Sequence, residues 1–383
     1  MKEIAYRIFF ILFIIDVYSC KQQYFPPVIK SNLGYLVVDG IIISGNDSTV
    51  IRLSRTQNIT DSAYIQKTET GAKVSVIGPN AETYPLTEES DGTYVAGQLN
   101  LDSTKPYQLK ITTSNGNEYL SEPLSVETCP PIDSVSWKYS NDGVKIYVNT
   151  HDPTQKTNYY RWFYSETWEY RSAYDSYIIY DNGNMVQRNP DQHVYTCWKT
   201  ISSTEMFLGS TANLTEDVIY EKLLTEIPKA SEMIGIEYSI SVNQYALTKE
   251  AYQYFQTLQK NTEQTGSVFD AQPSQLTGNI YNTANSNEPV LGFVSISSLQ
   301  QQRIFIDNLS LTGWGYQPPS LSCGSFVVPP IPDSLDFYFS GPNYIPISED
   351  YSGGFFKGYD ASSAFCVDCT LKGGVNKKPA FWP

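Results

Sequence analysis

The chain has 383 residues, 40 acidic against 26 basic side chains, and a formal net charge of −14. An acidic chain without a basic run is repelled by phosphate backbones, which excludes nucleic acid as an expected partner. Its two histidines, His151 and His193, cannot build a metal site at helical spacing, and it carries no Gly-x-Ser-x-Gly elbow, phosphate loop or dinucleotide fingerprint, so no metal, cofactor or catalytic activity is expected.

At the amino terminus Lys2 and Arg7 precede eight unbroken apolar residues, Ile8 to Ile15, and Ser19 sits directly before Cys20. A spanning helix needs roughly 20 apolar residues, so this layout predicts a cleaved signal peptide over residues 1–19 rather than a membrane helix. The cysteine at the cut predicts lipidation of Cys20, each buried CH₂ contributing about 0.8 kcal/mol to anchoring. An ordinary secretory signal beside a chance cysteine is the competing reading. Residues 20–28, with Phe25-Pro26-Pro27, read as a proline-stiffened tether to a membrane. Removing 19 of 383 residues leaves 364, long enough for two or three domains. In an oxidising compartment the remaining cysteines, Cys129, Cys197, Cys323, Cys366 and Cys369, allow at most two disulfides and leave one thiol over.

From Gly34 the apolar period is two. Tyr35 to Ile43, the turn Gly45-Asn46-Asp47, and Val50 to Leu53 make a hairpin. Further strands are expected at Lys73 to Ile77, Thr93 to Val95 and Tyr107 to Thr112, with Asn115-Gly116 turning the chain into Glu118 to Leu120. Residues 29–127 therefore read as an immunoglobulin-like or transthyretin-like β-sandwich. Cys129-Pro130-Pro131 marks the boundary, since a proline pair continues neither a helix nor a central strand. The expected fold class is mainly β, with this sandwich followed over residues 131–383 by a larger β-rich domain containing one inserted helix and a loop-rich, disulfide-stapled carboxyl terminus.

In the second domain, Trp137 to Tyr139 and Val144 to Val148 flank Asn141-Asp142-Gly143 as another hairpin. Ten aromatics then fall between Tyr159 and Tyr180. A strand over Tyr159 to Ser165 carries aromatics on both faces and is expected to be central and covered on both sides. Trp168, Tyr170, Tyr174, Tyr177 and Tyr180, interleaved with Glu169, Asp175, Ser176 and Asp181, are expected to form a contact surface for a partner, glycan or peptide. Residues 205–231 carry little signal. Thr248 as N-cap, Glu250 in the first turn and the stripe Ala251, Tyr254 or Phe255, Leu258 predict a helix to about Lys260, stopped by Gly266, which covers one face of the aromatic strand. Strands resume at Val290 to Ser297 and Arg303 to Asp307, and residues 313–383 read as loops held by cysteines.

Glu166 and Glu169 are the carboxylate pair a sugar-processing site would use, and His193 with Cys197 is a conceivable zinc or nucleophile pairing, but neither is preferred over a structural role. Cys366-Val367-Asp368-Cys369 is read as structural disulfide chemistry rather than a zinc half-site or redox pair.

Several short segments follow one another in order: Pro131-Ile132-Asp133-Ser134-Val135, Asn158-Tyr159-Tyr160-Arg161-Trp162, Glu250-Ala251-Tyr252, Gly278-Asn279-Ile280, Val290-Leu291-Gly292-Phe293, and Cys366-x-x-Cys369 with Gly373-Gly374 and Lys378-Pro379-Ala380-Phe381-Trp382. Together they resemble a family of Bacteroidota lipoproteins of unknown function whose genes accompany TonB-dependent, SusC-like outer-membrane receptors. The resemblance implies an outer-membrane, lipid-anchored protein partnered by a receptor barrel, and it implies no catalytic residues. One departure is that Lys21-Gln22-Gln23 follows Cys20 without acidic residues, which leaves the periplasmic face open beside the cell surface. The expected function is that of a non-catalytic accessory or binding subunit. A surface glycan-binding protein or polysaccharide-acting enzyme using residues 159–180 is the alternative.

Overall fold

The structure, a computed structural model, describes residues 34–57, 67–263, 276–318 and 323–383. The signal peptide, Cys20, the tether and Gly266 lie outside the described residues. No described helix is long and apolar enough to cross a membrane.

The fold is mainly β. Strands β1 (Leu36–Ile43), β2 (Gly45–Arg55), β3 (Lys67–Thr68), β4 (Lys73–Ile77), β5 (Thr83–Ser90), β6 (Thr93–Leu99), β7 (Gln108–Thr112), β8 (Glu118–Ser121) and β9 (Val126–Glu127) realise the predicted hairpins. The path β8-β7-β4-β5-β6-β2-β1 curls into a half-barrel because β5 pairs with β4 through Thr83 to Leu86 and with β6 through Thr87 to Ser90. Alternate residues point inward, so Leu36, Val38, Ile51, Leu53, Val76, Tyr94, Leu109 and Ile111 fill one core. Burial of each such side chain contributes about 1.5–3 kcal/mol.

After the boundary, β10 (Ile132–Ser140) and β11 (Gly143–His151) form the second expected hairpin. Strand β12 (Tyr159–Arg171) follows, then the small hairpin β13 (Ile178–Asp181) and β14 (Asn184–Gln187). Next come β15 (Thr196–Ser202), β16 (Phe207–Ser210), β17 (Val218–Pro228), β18 (Glu237–Ala246) and helix α1 (Lys249–Glu263). β12 is central: β15 and β16 pair along one edge and β18 along the other. Its inner face presents Tyr160, Trp162, Trp168 and Tyr170 to a core shared with the sheet β10-β11-β17. Its outer face meets α1, where the Arg161 guanidinium lies 4.2 Å from the Phe163 ring and 3.9 Å from the Phe255 ring, and Tyr159 packs on Tyr252 at 5.0 Å. The expected covering helix is thus in place, its first turn capped by Ala251 N–H donating to Thr248 Oγ1 at 3.2 Å.

The strand differs from expectation in its length. It runs to Arg171 rather than Ser165, so Trp168 and Tyr170 continue the buried face, with 7% and 2% exposure. The contact-surface expectation therefore fails for these two residues. Tyr174 and Tyr180 are half-buried, and Tyr177 is 58% exposed.

The chain then returns to the first sheet. β19 (Ile280–Asn282) pairs antiparallel with β8, and β20 (Ile296–Ser297) inserts parallel between β1 and β9. Val290, Val294 and Ile296 enter the sandwich core. The boundary at residue 131 gave these residues to the second domain, whereas a strap over residues 276–298 completes the first. Its motifs have physical reasons. Leu291 N–H donates to Leu36 O at 2.9 Å and Val38 N–H to Leu291 O at 2.8 Å, while Asn279 copies a strand partner by bonding both Val294 O and Val294 N–H through its side-chain amide. Gly292 sits at φ +123° with Val38 O only 2.0 Å from where a Cβ would be, so no other residue fits.

β21 (Leu299–Asp307) rejoins the second domain beside β18. The segment read as loops contains β22 (Phe326–Val328), α2 (Pro332–Phe339), β23 (Tyr344–Asp350), β24 (Gly358–Ser363) and α3 (Ala364–Val367), with the sheet order β22-β24-β23 and a small core of Val328, Leu335, Phe339 and Ala361. The expected staples are present as Cys197–Cys369 and Cys323–Cys366, so the two cysteines of the CxxC motif take separate partners. Cys129 is the remaining thiol; it is buried, and burial pushes its pKa up to about 12.

Because both indoles are enclosed, Trp162→Ala and Trp168→Ala should each cost about 3–5 kcal/mol in urea melts. A loss below about 1 kcal/mol for Trp168→Ala would return that residue to the surface. Peptide mapping without reductant should recover the 197–369 and 323–366 pairs, with Cys129 alkylated only after unfolding; a 366–369 pair would contradict the fold of the C-terminal module.

Candidate functional site

Where β12 runs out, its last residues and two turns enclose a cleft of about 620 Å³, within the size range of small-molecule sites. Glu169, Arg171 and Ser172 form one wall, Tyr195 a second, and the turns around Glu232 to Ile236 and Asn308 to Pro318 the third. Each turn is set locally. Met233 N–H donates to Ser231 Oγ at 3.2 Å, and Leu309 N–H donates to Asp307 Oδ1 at 2.7 Å, both capping short 3-10 turns. The turns hold each other: Asn308 Nδ2 donates to Ile234 O at 2.6 Å, and the buried Trp314 donates from Nε1 to Ser231 O at 3.0 Å.

The polar lining is mixed in sign. Arg171 Nη2 donates to Glu169 Oε1 at 3.2 Å and its guanidinium lies 5.8 Å from the Tyr195 ring centre. Tyr316 Oη donates to Glu232 Oε1 at 3.3 Å. Burial first, and then the Glu232 charge, push the Tyr316 hydroxyl up to about 12. Gly235 makes room for that ring, since a Cβ there would lie 2.7 Å from it. Ser172 is buried at the cleft wall with no hydrogen-bond partner for its hydroxyl.

The residues singled out in the sequence fall in several places. Glu166 and Glu169 do not form a pair, because residues three apart on a strand point to opposite faces. Glu166 is buried, accepts from Tyr238 Oη at 2.7 Å, and has its pKa raised by that burial, while Glu169 lines the cleft. Cys197 is oxidised in a disulfide, which removes the His193–Cys197 pairing. Among the described residues no group of three or more His, Cys, Asp or Glu is placed to hold a metal ion. Tyr170 and Tyr174 act as clamps on the stapled segment, donating to Cys369 O and Cys323 O at 2.8 Å each. Tyr180 packs on Phe339 at 6.1 Å and hydrogen-bonds Asp336.

Sequence reasoning missed a second feature. The C-terminal module exposes Phe337 (78%), Phe355 (64%), Tyr351 and Phe365, with Tyr344 and Phe356 partly open beside them. Its acids Asp333, Asp336, Glu349, Asp350 and Asp360 outnumber its one base between residues 323 and 363, Lys357. The signal was present as Phe337-Tyr338-Phe339 and Phe355-Phe356, but lay in a stretch rich in Pro, Gly and Ser.

The cleft makes a spectroscopic prediction. Tyr316 should ionise near 12, above the ordinary tyrosine range, and the difference between wild type and Tyr316→Phe at 295 nm isolates it. Since its folded pKa is raised, its contribution to stability is complete below about 10 and is lost as pH climbs from there through about 12. A Tyr316 titration at 10 would mean that the ring is free of both burial and Glu232.

Compared with known proteins, residues 21–303 match the family described as Domain of unknown function (DUF4249). No curated protein matches the chain. Among solved structures it is similar to a two-domain fibronectin type III segment from chicken tenascin, at 8% identity over 55% of this chain and 89% of that one, with a TM-score of 0.14. It is also similar to the BSP domain of a biofilm-associated protein, at 9% identity over 74% of this chain and 62% of that one, with a TM-score of 0.15. The family match covers both sheets around β12, the strap and most of β21, so the chain belongs to the DUF4249 family, a family of unknown function.

Proposed function

We propose that this chain is a non-catalytic, lipid-anchored outer-membrane protein of the Bacteroidota kind that serves as accessory or binding subunit of a TonB-dependent, SusC-like receptor, in nutrient uptake or envelope assembly. The observation that carries the reading is the set of exposed aromatic side chains on the C-terminal module, led by Phe337, Phe355 and Phe365. Aromatic side chains exposed to water in this number are unfavourable, and such residues are enriched at interfaces, so they call for a covering partner. The acidic surround would meet a basic rim. Two further features agree. The family match begins at residue 21, directly after Ser19-Cys20, and the Cys197–Cys369 disulfide ties the aromatic module to the second domain while Cys323–Cys366 closes the module on itself.

Native protein extracted in detergent should carry a barrel receptor in stoichiometric amount. The double variant Phe337→Ser/Phe365→Ser should lose that partner with an unchanged melting temperature, both rings being largely in solvent. Undiminished recovery of the receptor would refute docking through this face. Cys20→Ala should move the protein to the soluble fraction, and an unacylated amino terminus at residue 20 in mass spectrometry would refute the anchor.

A further inference from the structure

The cleft at the end of β12 offers more than space. Tyr195 carries no hydrogen bond from its hydroxyl and stands half-buried at one wall; Tyr316 stands half-buried at another. The polar groups lining the same cleft are of both signs. Arg171 spends one donor on Glu169 and keeps the rest of its guanidinium free, while Glu169 and Glu232 each have one carboxylate oxygen engaged and one open. Ser172 adds a buried, unpartnered hydroxyl.

A ligand for this lining must bring acceptors and donors together. An anion would face two carboxylates inside a chain of net charge −14. An ammonium ligand would satisfy the carboxylates but leave the donors of Arg171 and Tyr195 without acceptors. A polyhydroxylated neutral molecule supplies both, since each hydroxyl donates once and accepts twice, and its C–H faces pack on phenol rings. We propose that the cleft is a binding site for neutral oligosaccharide, held between Tyr195 and Tyr316 and hydrogen-bonded by Arg171, Glu169 and Glu232. The site is preorganised from below: Trp314 and Asn308 fix the turns, and Tyr170 ties the end of β12 to Cys369 in the 197–369 disulfide. The inference rests on the binding role proposed above and is independent of the receptor.

The test uses the full mature protein on an array of immobilised neutral glucans, mannans and galactans, with uronate-containing glycans and basic peptides alongside, followed by calorimetric titration of the best neutral binder. Neutral oligosaccharides should bind, and Glu232→Gln and Arg171→Gln should each weaken binding by about 10- to 100-fold, the range for a hydrogen bond to a charged group. Glu232→Gln preserves shape and Arg171→Gln shortens a side chain that is half in solvent; if either disturbs the near-ultraviolet spectrum, Tyr195→Phe, which removes only the hydroxyl, replaces it and should weaken binding several-fold. Tyr281→Ser, on the strap, should change nothing. Absence of neutral binding, binding confined to uronates or peptides, or binding indifferent to the cleft variants would each overturn the proposal. Phe337→Ser/Phe365→Ser should retain glycan binding, so failure of receptor docking and failure of the cleft are read separately.

Discussion

Everything in this molecule leans on the two-sided burial of one strand. β12 has aromatic residues at consecutive positions, so neither face can be left to water, and the chain supplies a cover for each. The inner face receives the sheet β10-β11-β17, and the outer face receives α1. Some of its polar atoms are met as well, whereas Arg161 Nε and Trp168 Nε1 are buried without a hydrogen-bond partner. Trp162 donates from Nε1 to Gln244 Oε1 at 2.8 Å, and the same amide donates from Nε2 to Pro130 O at 2.8 Å and Thr150 Oγ1 at 3.0 Å. One fully buried side chain thereby joins the central strand, the inner sheet and the boundary linker, and a buried amide with its partners in place fixes register more narrowly than apolar packing does.

The remaining parts are attached to that centre by long-range ties. The strap at residues 276–298 leaves α1, completes the sandwich and returns as β21, so the two halves are bound by two crossings of the chain in addition to the linker. The C-terminal module has a core of only a few buried residues, too small to offset its ordering entropy alone. Cys197–Cys369 closes a span of 172 residues, and in the chain-entropy model closing a loop of 100 or more contributes about 4–5 kcal/mol. The tail adds packing to that covalent tie, with Trp382 against Phe305 at 5.5 Å and Trp198 at 6.5 Å. The end of β12, the cleft and the exposed aromatic face are therefore held in one frame.

Legibility in the sequence followed the range of the interaction. Hairpins such as β1-β2 and β10-β11 were readable because turn chemistry and period two are local, and α1 was readable from its cap and stripe. β17 was not, because a bulge at Glu221, at φ +49°, breaks its alternation. β20 was placed in the wrong unit because a two-residue parallel pairing has no local signature. Trp168 and Tyr170 looked exposed because the expected strand ends at Ser165 and Glu169 lies between them, yet the strand runs on to Arg171 and the alternation simply continues. The cleft gathers Tyr195, Glu232 and Tyr316 from segments far apart in the chain, and the aromatic module hid its strands among prolines and glycines.

Hydrogen exchange followed residue by residue tests the central role of β12 most directly. The amides of Tyr160 to Trp168 and their partners on β18 should exchange most slowly, through global unfolding, and reduction of the disulfides should speed exchange across residues 323–367 while leaving β12 slow. Exchange of β12 at the rate of the C-terminal module, or its loosening on reduction, would contradict the account.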